Sequence, residues 1–511
     1  MKTIKSIRYI ILAFPVAVLL LWSCGKEWLE IEPVAMDSPD NLKGEPIENM
    51  KLSLATAYNS VTYVYPWGAS SWVALNCASG DVNTGGGAAG DRPEYEEMEH
   101  FDRLNSASLS PQYLWEKNFR GIRSVNQMLV DYQEFSSDAV NVVKAESKIL
   151  RSYFYFDMVR MFGDVPYFTE DTTYNITGVR IPTDVVLDSL INTIKSNVKF
   201  VKRKAANGKI TYDASYVLLA KIYLWKKDYV NAAAALDTVI LSNKFKLLGS
   251  YGGVFSYLSP HNEEVIFCTN PISTGDNASW TGFTSLYNID IKLCGIRNFV
   301  DKMTGSDAIV NGWGFLKPRK EIVDVYIAAG DMVRLNENIW FADETLTDYA
   351  QYFDETLYDR SQRTDGIVSY SADVYGYEGF FRKKYTNYQG MQRTGDWVKV
   401  AFVIYRYADV LLLRAECALN GAGGDADALI NEVRARVSLD PLTGATLSDL
   451  KLERRLELAF EYERYFDLVR WGDAATVLAG NGYDPAKNGL FPVPQSEIDL
   501  SGGILTQNPG Y

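Results

Sequence analysis

Three glutamates near the C-terminus have a spacing that could bring carboxylates together for acid–base chemistry. Glu453, Glu457 and Glu461 recur every four residues, so a helix would place them on one face. Two carboxylates are enough for glycoside hydrolysis, with one acting as acid and the other as base or nucleophile. Arginines such as Arg454 and Arg455 are interspersed, and ion pairing is the alternative to catalysis. We interpret these glutamates as ion-pair partners.

The histidines offer little support for other catalytic chemistry. The chain has two, His100 and His261, and neither lies in an HExxH sequence or near a nucleophile elbow. This disfavours Ser–His hydrolysis and His-rich metal catalysis. Plentiful Asp and Glu residues keep a glycosidase open as a distant alternative.

A glycine-rich segment at residues 85–90 formally fits GxGxxG. No strand is predicted before it and Pro93 follows closely, so we interpret it as a surface loop and not as a dinucleotide site. Just upstream, residues 81–86 begin like a calcium loop, but Arg92 stands where the closing glutamate belongs. No cofactor is expected, although calcium held by another geometry stays open.

The N-terminus has the features of an export signal. Basic residues precede a short apolar run, Tyr9 to Leu21, which is short for a membrane span. The run ends in Ser23 and Cys24, as in a bacterial lipobox, so residues 1–23 are predicted to be removed and Cys24 acylated. Residues 24–45 are then a lipidated tether. The other cysteines have no metal-ligand spacing and are expected to be mostly free and buried: Cys77, Cys268, Cys294 and Cys417.

Charge and aromatic content limit the possible ligands. The formal net charge is −13, which disfavours nucleic acid as a partner. The chain contains 33 Tyr, 23 Phe and 11 Trp residues, and their flat faces suit the recognition of ring-shaped ligands.

Helical periodicity dominates both ends of the chain. It predicts helices at Met50–Tyr63, Pro111–Tyr132, Val142–Phe162, Asp184–Lys204 and Tyr212–Leu241. Residues 216–236 have tetratricopeptide spacing, with small Ala220 and Ala232 where two helices would approach closely. A second pair is predicted at 407–419 and 426–436, with a turn at 421–424, and such pairs stack into solenoids.

The chain therefore divides into three parts after the tether. Residues 46–246 form a helical-repeat part, 247–400 a loop-rich part and 401–511 a C-terminal helical part, together making one unit. The loop-rich part contains strand-like runs at 264–269 and 398–405 among Gly-, Asn- and Asp-rich connections. Long structured loops on a helical scaffold commonly carry the binding residues.

Four sequence blocks resemble those of one family. They are Arg151–Asp157 with Phe162–Pro166, Tyr405–Glu416, Leu452–Gly472, and the closing segments Phe491–Gln495 and Gln507–Tyr511. Together they identify the chain as similar to the SusD/RagB lipoproteins of Bacteroidetes. The resemblance implies a mainly α, SusD-like fold and an outer-membrane, cell-surface location. It also implies a role as a hinged lid that delivers glycan to a SusC-like TonB-dependent transporter without catalysis, so we expect a protein that is not an enzyme. An oligopeptide is the alternative cargo.

The ligand contacts of that family lie outside its sequence blocks, so candidates come from their placement in loops. Aromatic rings would stack on sugars and polar side chains would bond the hydroxyls. Plain packing is the alternative for each of them. The candidates are Trp67, Trp72, Asp81, Asn83, Tyr95, Trp280, Phe283, Tyr287 and Trp313.

Overall fold

Helices make up most of the secondary structure in a computed structural model of the chain. The structure describes residues 46–61, 64–65, 69–171, 178–203, 208–256, 259–269, 293–297, 312–341, 346–352, 375–385, 393–394, 397–398 and 401–511. Residues 50–511 form one compact unit, and of the separate unit 1–49 only residues 46–49 are described. The mainly α fold predicted from the sequence is confirmed.

The helices begin and end as follows: α1 (Pro46–Val61), α2 (Ser71–Cys77), α3 (Pro93–Glu99), α4 (Leu109–Asp131), α5 (Asp138–Phe162), α6 (Thr183–Asn197), α7 (Tyr212–Trp225), α8 (Tyr229–Ile240), α9 (Lys320–Ala328), α10 (Met332–Asn338), α11 (Tyr407–Cys417), α12 (Ala426–Arg436), α13 (Leu447–Glu457), α14 (Arg464–Trp471), α15 (Ala474–Val477) and α16 (Gln495–Leu500). Short 3-10 turns occur at Phe101–Arg103, Val198–Phe200, Gly252–Phe255, Thr347–Tyr352 and Ala479–Asn481.

The predicted tetratricopeptide-like hairpin is confirmed in α7 and α8. Ala220 and Ala232 are fully buried, and their small side chains allow the two helices to pack closely. The N-termini are capped by local side chains: Thr211 accepts from the Ala214 N–H and Asp228 from the Asn231 N–H. These caps separate two helices where the periodicity alone predicts a continuous stretch.

A second hairpin stacks on the first. Helices α11 and α12 pack together, and α11 also packs on α8. The turn between α11 and α12 contains Gly421 and Gly423 with positive φ angles of 88° and 72°, which favour glycine. Earlier helices pack in chain order, α4 on α5, α5 on α6 and α6 on α7. The result is the stacked arrangement of helix pairs that the sequence predicts.

Short antiparallel ribbons join distant parts of the chain. The strands are β1 (Val64–Tyr65), β2 (Ala69–Ser70), β3 (Val82–Gly85), β4 (Val265–Cys268), β5 (Phe315–Pro318), β6 (Ile339–Phe341), β7 (Phe380–Arg382), β8 (Arg393–Thr394), β9 (Trp397–Val398) and β10 (Val403–Arg406). They pair as β1–β2, β3–β5, β4–β10, β6–β7 and β8–β9. The two strand-like runs predicted in the loop-rich part therefore become partners, β4 and β10. Helices α9 and α10 in that part were not predicted.

The strand β3 corrects one expectation about the glycine-rich segment. A strand does precede residues 85–90, with Gly85 as its last residue. It pairs antiparallel with β5, with Val82 opposite Pro318 and Gly85 opposite Phe315. A dinucleotide fingerprint needs a parallel βαβ unit, which this antiparallel ribbon does not supply.

The C-terminal family block is not one continuous helix. Helix α13 ends at Glu457 and α14 begins at Arg464, because Phe460 and Tyr462 adopt left-handed backbone conformations with φ near 64° and 62°. Glu461 therefore lies outside the helix that carries Glu453 and Glu457. Its carboxylate bonds Lys384 and Arg406 instead.

The four cysteines outside the N-terminal segment are free and buried, as predicted. In the part of the chain that the structure describes, no helix is long and apolar enough to cross a membrane. The predicted signal, Cys24 and the whole tether, residues 24–45, lie outside the described residues.

Candidate ligand-binding surface

The glutamates of the C-terminal block are ion-pair partners, as predicted, but their partners come from elsewhere in the chain. Glu457 contacts Arg334 at 2.8 Å and Arg406 at 2.5 Å, and it also pairs with Arg436. Burial alone would raise the pKa of Glu457, but the charges of these three arginines hold it well below its usual range. A carboxylate so held is unsuited to act as a general acid.

Other family blocks are tied together in the same way. Arg454 of α13 bonds Asp409 of α11 at 2.8 Å and Asp467 of α14 at 2.9 Å. Near the C-terminus, the Asn508 amide donates to the carbonyls of Phe162 and Phe491. These contacts agree with the interpretation that the blocks maintain the fold.

Asp81 does not face a ligand, which corrects its assignment as a candidate. Its side chain is 5% exposed, and its carboxylate accepts from Arg455 at 2.6 Å with Arg464 at 3.8 Å. Among the described residues, no group of three or more His, Cys, Asp or Glu side chains could hold a metal ion.

Asn83 is engaged by the protein at both ends of its amide. The nitrogen donates to the Gly376 carbonyl at 3.0 Å and to Glu378 at 2.6 Å. The oxygen accepts from Arg319 at 2.8 Å. Because these bonds use both amide hydrogens, Asn83 holds the neighbouring segments together and is not free to bond a sugar hydroxyl in this conformation.

Two of the aromatic candidates are packing residues, which corrects their placement in loops. Trp72 lies in the first turn of helix α2 and is 6% exposed, with a stacked Phe402 ring at 5.0 Å and the Arg382 guanidinium at 4.5 Å from its ring. Tyr95 lies in α3, is fully buried, and packs edge-on against Phe315. Their flanking Gly, Pro and Ser residues are typical of loops, but both side chains fall on the inner faces of short helices.

Trp313 is the aromatic candidate that stays partly exposed. It precedes β5, where its neighbour Gly314 donates to the Gly295 carbonyl at 3.0 Å. The other candidates, Trp67, Trp280, Phe283 and Tyr287, lie outside the described residues.

The end of the β3–β5 ribbon forms a continuous surface around Trp313. The Gly86 N–H donates to the Gly314 carbonyl at 2.9 Å, and the Gly86 carbonyl accepts from the Tyr375 N–H at 3.1 Å. We call this the ribbon surface and define it by Asn83, Gly87, Arg297, Trp313 and Tyr375. It joins β3 of the helical-repeat part to three segments of the loop-rich part.

Two cations belong to this region, and sequence reasoning missed both. Arg297 is half-buried, and one of its Nη atoms is 3.5 Å from the Trp313 carbonyl. Lys317 on β5 is fully buried and donates to the Tyr375 carbonyl at 2.6 Å. Burial, with a smaller effect from the Arg297 charge, lowers the pKa of Lys317 to about 7. The sequence signal was weak, since nothing local reveals that residues 82–85 pair with 315–318.

A groove on the helical scaffold has fewer free polar groups. It encloses about 570 Å³ and is lined by residues including Asp164, Arg180, Trp225 and Ile504. Arg180 donates to the carbonyls of Phe162, Asp164 and Thr506 and to the Asn508 side chain. With its guanidinium engaged by the fold, this groove is a weaker ligand site than the ribbon surface.

A stacked helical scaffold with a loop-borne surface defines a class of binding protein, and comparisons with known proteins agree. Residues 263–511 match the model of the SusD family, and residues 28–224 match a model described as "Starch-binding associating with outer membrane". The chain is 25% identical over 541 residues to SusD-like protein P2 of Formosa agariphila, covering 97% of this chain and 98% of the relative. The chain belongs to the SusD family.

Solved structures show the same fold. Surface glycan-binding protein A from Bacteroides fluxus matches with a TM-score of 0.76 at 25% identity, covering 91% of this chain and 99% of that one. Surface glycan-binding protein A from Bacteroides thetaiotaomicron, solved in complex with laminarihexaose, matches with a TM-score of 0.76 at 24% identity, covering 90% and 99%.

Proposed function

We propose that this chain is a cell-surface lipoprotein that captures a glycan and delivers it, without chemical change, to a SusC-like TonB-dependent transporter. The observation that carries the proposal is its likeness along almost its whole length to surface glycan-binding proteins, at a TM-score of 0.76. The structural relative bound to laminarihexaose supports a glycan as the class of cargo.

The ribbon surface gives the proposal a location on the described part of the chain. Trp313 is a partly exposed ring on a segment held by backbone hydrogen bonds, so it can stack on a sugar with little ordering cost. A solvent-facing site of this kind binds weakly, on the order of micromolar to millimolar, because its polar groups stay partly hydrated.

Two features support capture over catalysis. Glu453, Glu457 and Glu461 are each ion-paired with buried cations, which leaves no free acid–base pair in the C-terminal block. A lid that passes cargo to a transporter also needs no chemical step.

The anchoring part of the proposal comes from the sequence. The family model matching residues 28–224 is described as associating with the outer membrane. Acylation at Cys24 would hold the chain there, because each buried methylene of an acyl chain contributes about 0.8 kcal/mol. Labelled fatty acid should be incorporated into the full chain and not into Cys24→Ala.

The test of capture is binding of the chain from Gly25 onward to a panel of polysaccharides by affinity electrophoresis, followed by calorimetry on the retarding glycan. Trp313→Ala should weaken binding by about tenfold or more, since stacking on an aromatic ring is lost. Trp471→Ala is the matched control, because Trp471 is also half-buried but bonds Glu416 in the helical scaffold, away from both candidate surfaces.

The outcomes separate the candidate functions. Retardation by one glycan class, with unchanged glycan length afterwards, supports capture. Binding of oligopeptides and no glycan would replace the glycan with a peptide cargo. Shortened products would show that the chain is an enzyme.

A further inference from the structure

The guanidinium of Arg297 lies flat against the backbone of the glycine-rich segment. A Cβ atom built on Gly87 would lie 2.5 Å from the nearer Nη of Arg297, so this close approach requires glycine at position 87. The segment beneath is held by bonds of its own, since the Gly87 N–H donates to Asp91 at 2.6 Å. The hydrogen-bonded segment around Gly87 therefore holds the Arg297 guanidinium in place at the surface.

Among the described residues, the side chain of Arg297 has few hydrogen-bond partners. Its contact with the Trp313 carbonyl is long, at 3.5 Å, and its buried Nε has no hydrogen-bond partner. An unpaired, partly buried guanidinium is costly, because its donors have lost water without gaining acceptors. An incoming ligand that accepts hydrogen bonds would remove this cost.

Lys317 adds a second positive charge behind the first. Within the described residues, neither Lys317 nor Arg297 forms an ion pair, although the charge of Arg297 is felt at Lys317. Three buried arginines elsewhere in the chain differ in this respect, because each contacts at least two carboxylates: Arg334, Arg406 and Arg454. In a chain of net charge −13, these two cations have no carboxylate partner among the residues that the structure describes.

We propose, building on the proposed capture function, that the ribbon surface binds an anionic sugar and that Arg297 recognises its carboxylate or sulfate group. The guanidinium presents parallel N–H donors whose spacing matches two oxygens of either anion. Trp313 lies beside it to stack on the ring that bears the charge. Lys317 does not reach the ligand, and its buried charge makes the surface potential more positive. A uronic acid and a sulfate ester share this chemistry.

The experiment compares three oligosaccharides of equal length with the chain from Gly25 onward by calorimetry at low salt: a neutral glucan, a uronic-acid oligomer and a sulfated oligomer. At least one anionic oligomer should bind about tenfold or more tightly than the neutral one, with the advantage reduced by added salt. The uronate and sulfate arms distinguish the two sources of the anion.

Two variants test the residue. Arg297→Gln should weaken binding of the anionic oligomer by about tenfold or more and leave binding of the neutral one unchanged. Gly87→Ala keeps every charge but displaces the guanidinium, so it should have the same selective effect. Lys246→Gln is the control, because it removes an equal charge from an exposed ion pair with Glu263. Thermal unfolding midpoints close to that of the parent chain establish that each variant is folded.

The results distinguish failure of this inference from failure of the capture function. Equal or tighter binding of the neutral oligomer, insensitive to Arg297→Gln, would overturn the anion preference and leave glycan capture standing. No binding by any of the three, or by the wider polysaccharide panel, would overturn both.

Discussion

Arg406 lies 2.5 Å from Glu457, and both side chains are almost completely withdrawn from water. Arg406 starts from the end of β10, and it also bonds Glu264 next to β4 and Glu461 after α13. The Arg406 guanidinium thus joins the β4–β10 ribbon to the C-terminal helices.

Removing one member of this cluster should strongly destabilise the chain. In Arg406→Met, Glu457 and Glu461 would lose a buried partner, and a broken buried pair typically costs about 3–5 kcal/mol. Urea denaturation of the chain from Gly25 onward measures the free energy of unfolding. Lys246→Gln breaks an exposed ion pair with Glu263 and should change the free energy of unfolding by less than ~1 kcal/mol. Equal effects of the two variants would contradict a stabilising role for the cluster.

The close approach of α4 and α5 depends on Gly121. A Cβ there would lie 2.4 Å from the ring of Phe154, which is fully buried and cannot move aside freely. Although alanine favours a helix, Gly121→Ala should destabilise the chain by about 1–3 kcal/mol through overpacking.

The matched control for that substitution is Gly480→Ala. An added Cβ at Gly480 would meet nothing within 4 Å, and its φ angle is not positive. Its unfolding midpoint in urea should stay within error of the parent chain. If Gly121→Ala also leaves the unfolding midpoint unchanged, α4 and α5 are less tightly packed than described.

The parts of the fold that sequence predicts well are those determined by local pattern. Small Ala220 and Ala232 at fixed spacing were enough to predict a helical hairpin, because the contact they permit lies within one repeat. The break between α13 and α14 was missed, since Phe460 and Tyr462 are ordinary helix-compatible residues. Their left-handed conformations flank Glu461, which makes tertiary bonds that local sequence does not indicate.

The candidate surface was harder to predict because it is built from distant segments. Trp72 and Tyr95 were placed by the composition of their neighbours, which does not reveal which side of a short helix is buried. Asp81 was proposed as a ligand contact, but it is buried against Arg455, a partner far along the chain that local sequence does not indicate. Arg297 and Lys317 gain significance only when β3 and β5 pair. Local sequence contains no information on that pairing.

The four described cysteines should be unreactive until the chain unfolds. Each is buried, and burial raises the pKa of the Cys268 and Cys417 thiols to about 12, so little thiolate is present near neutral pH. In the chain from Gly25 onward, Ellman's reagent should detect no fast-reacting thiol under native conditions and four in denaturant. Two or none in denaturant would reveal disulfides, and rapid native reaction would reveal an exposed cysteine.

Lys317 should make stability depend on pH in a defined window. Its pKa of about 7 in the folded chain lies below the value of about 10.4 for an unperturbed lysine. Between these values the unfolded chain holds a proton that the folded chain has released, so this residue makes the folded state more stable as pH rises from 7 to 10. Below pH 7 both states are protonated, and the cost of burying the charge is present in full.

Replacing Lys317 with methionine removes that dependence. Lys317→Met loses the bond to the Tyr375 carbonyl at every pH, but it also loses the buried charge, whose cost is greatest in acid. The free energy of unfolding of the variant minus that of the parent should therefore be larger at pH 6 than at pH 10, which means that the substitution stabilises the folded chain more in acid. A pKa shift of this size corresponds to a difference of about 4 kcal/mol at most. Urea denaturation at pH 6, 8 and 10 measures it, and parallel profiles for the two chains would show that Lys317 keeps an ordinary pKa.

Binding of an anion beside Arg297 should raise the pKa of Lys317, so affinity for a charged oligosaccharide should fall as pH rises through 7 in the parent and not in Lys317→Met.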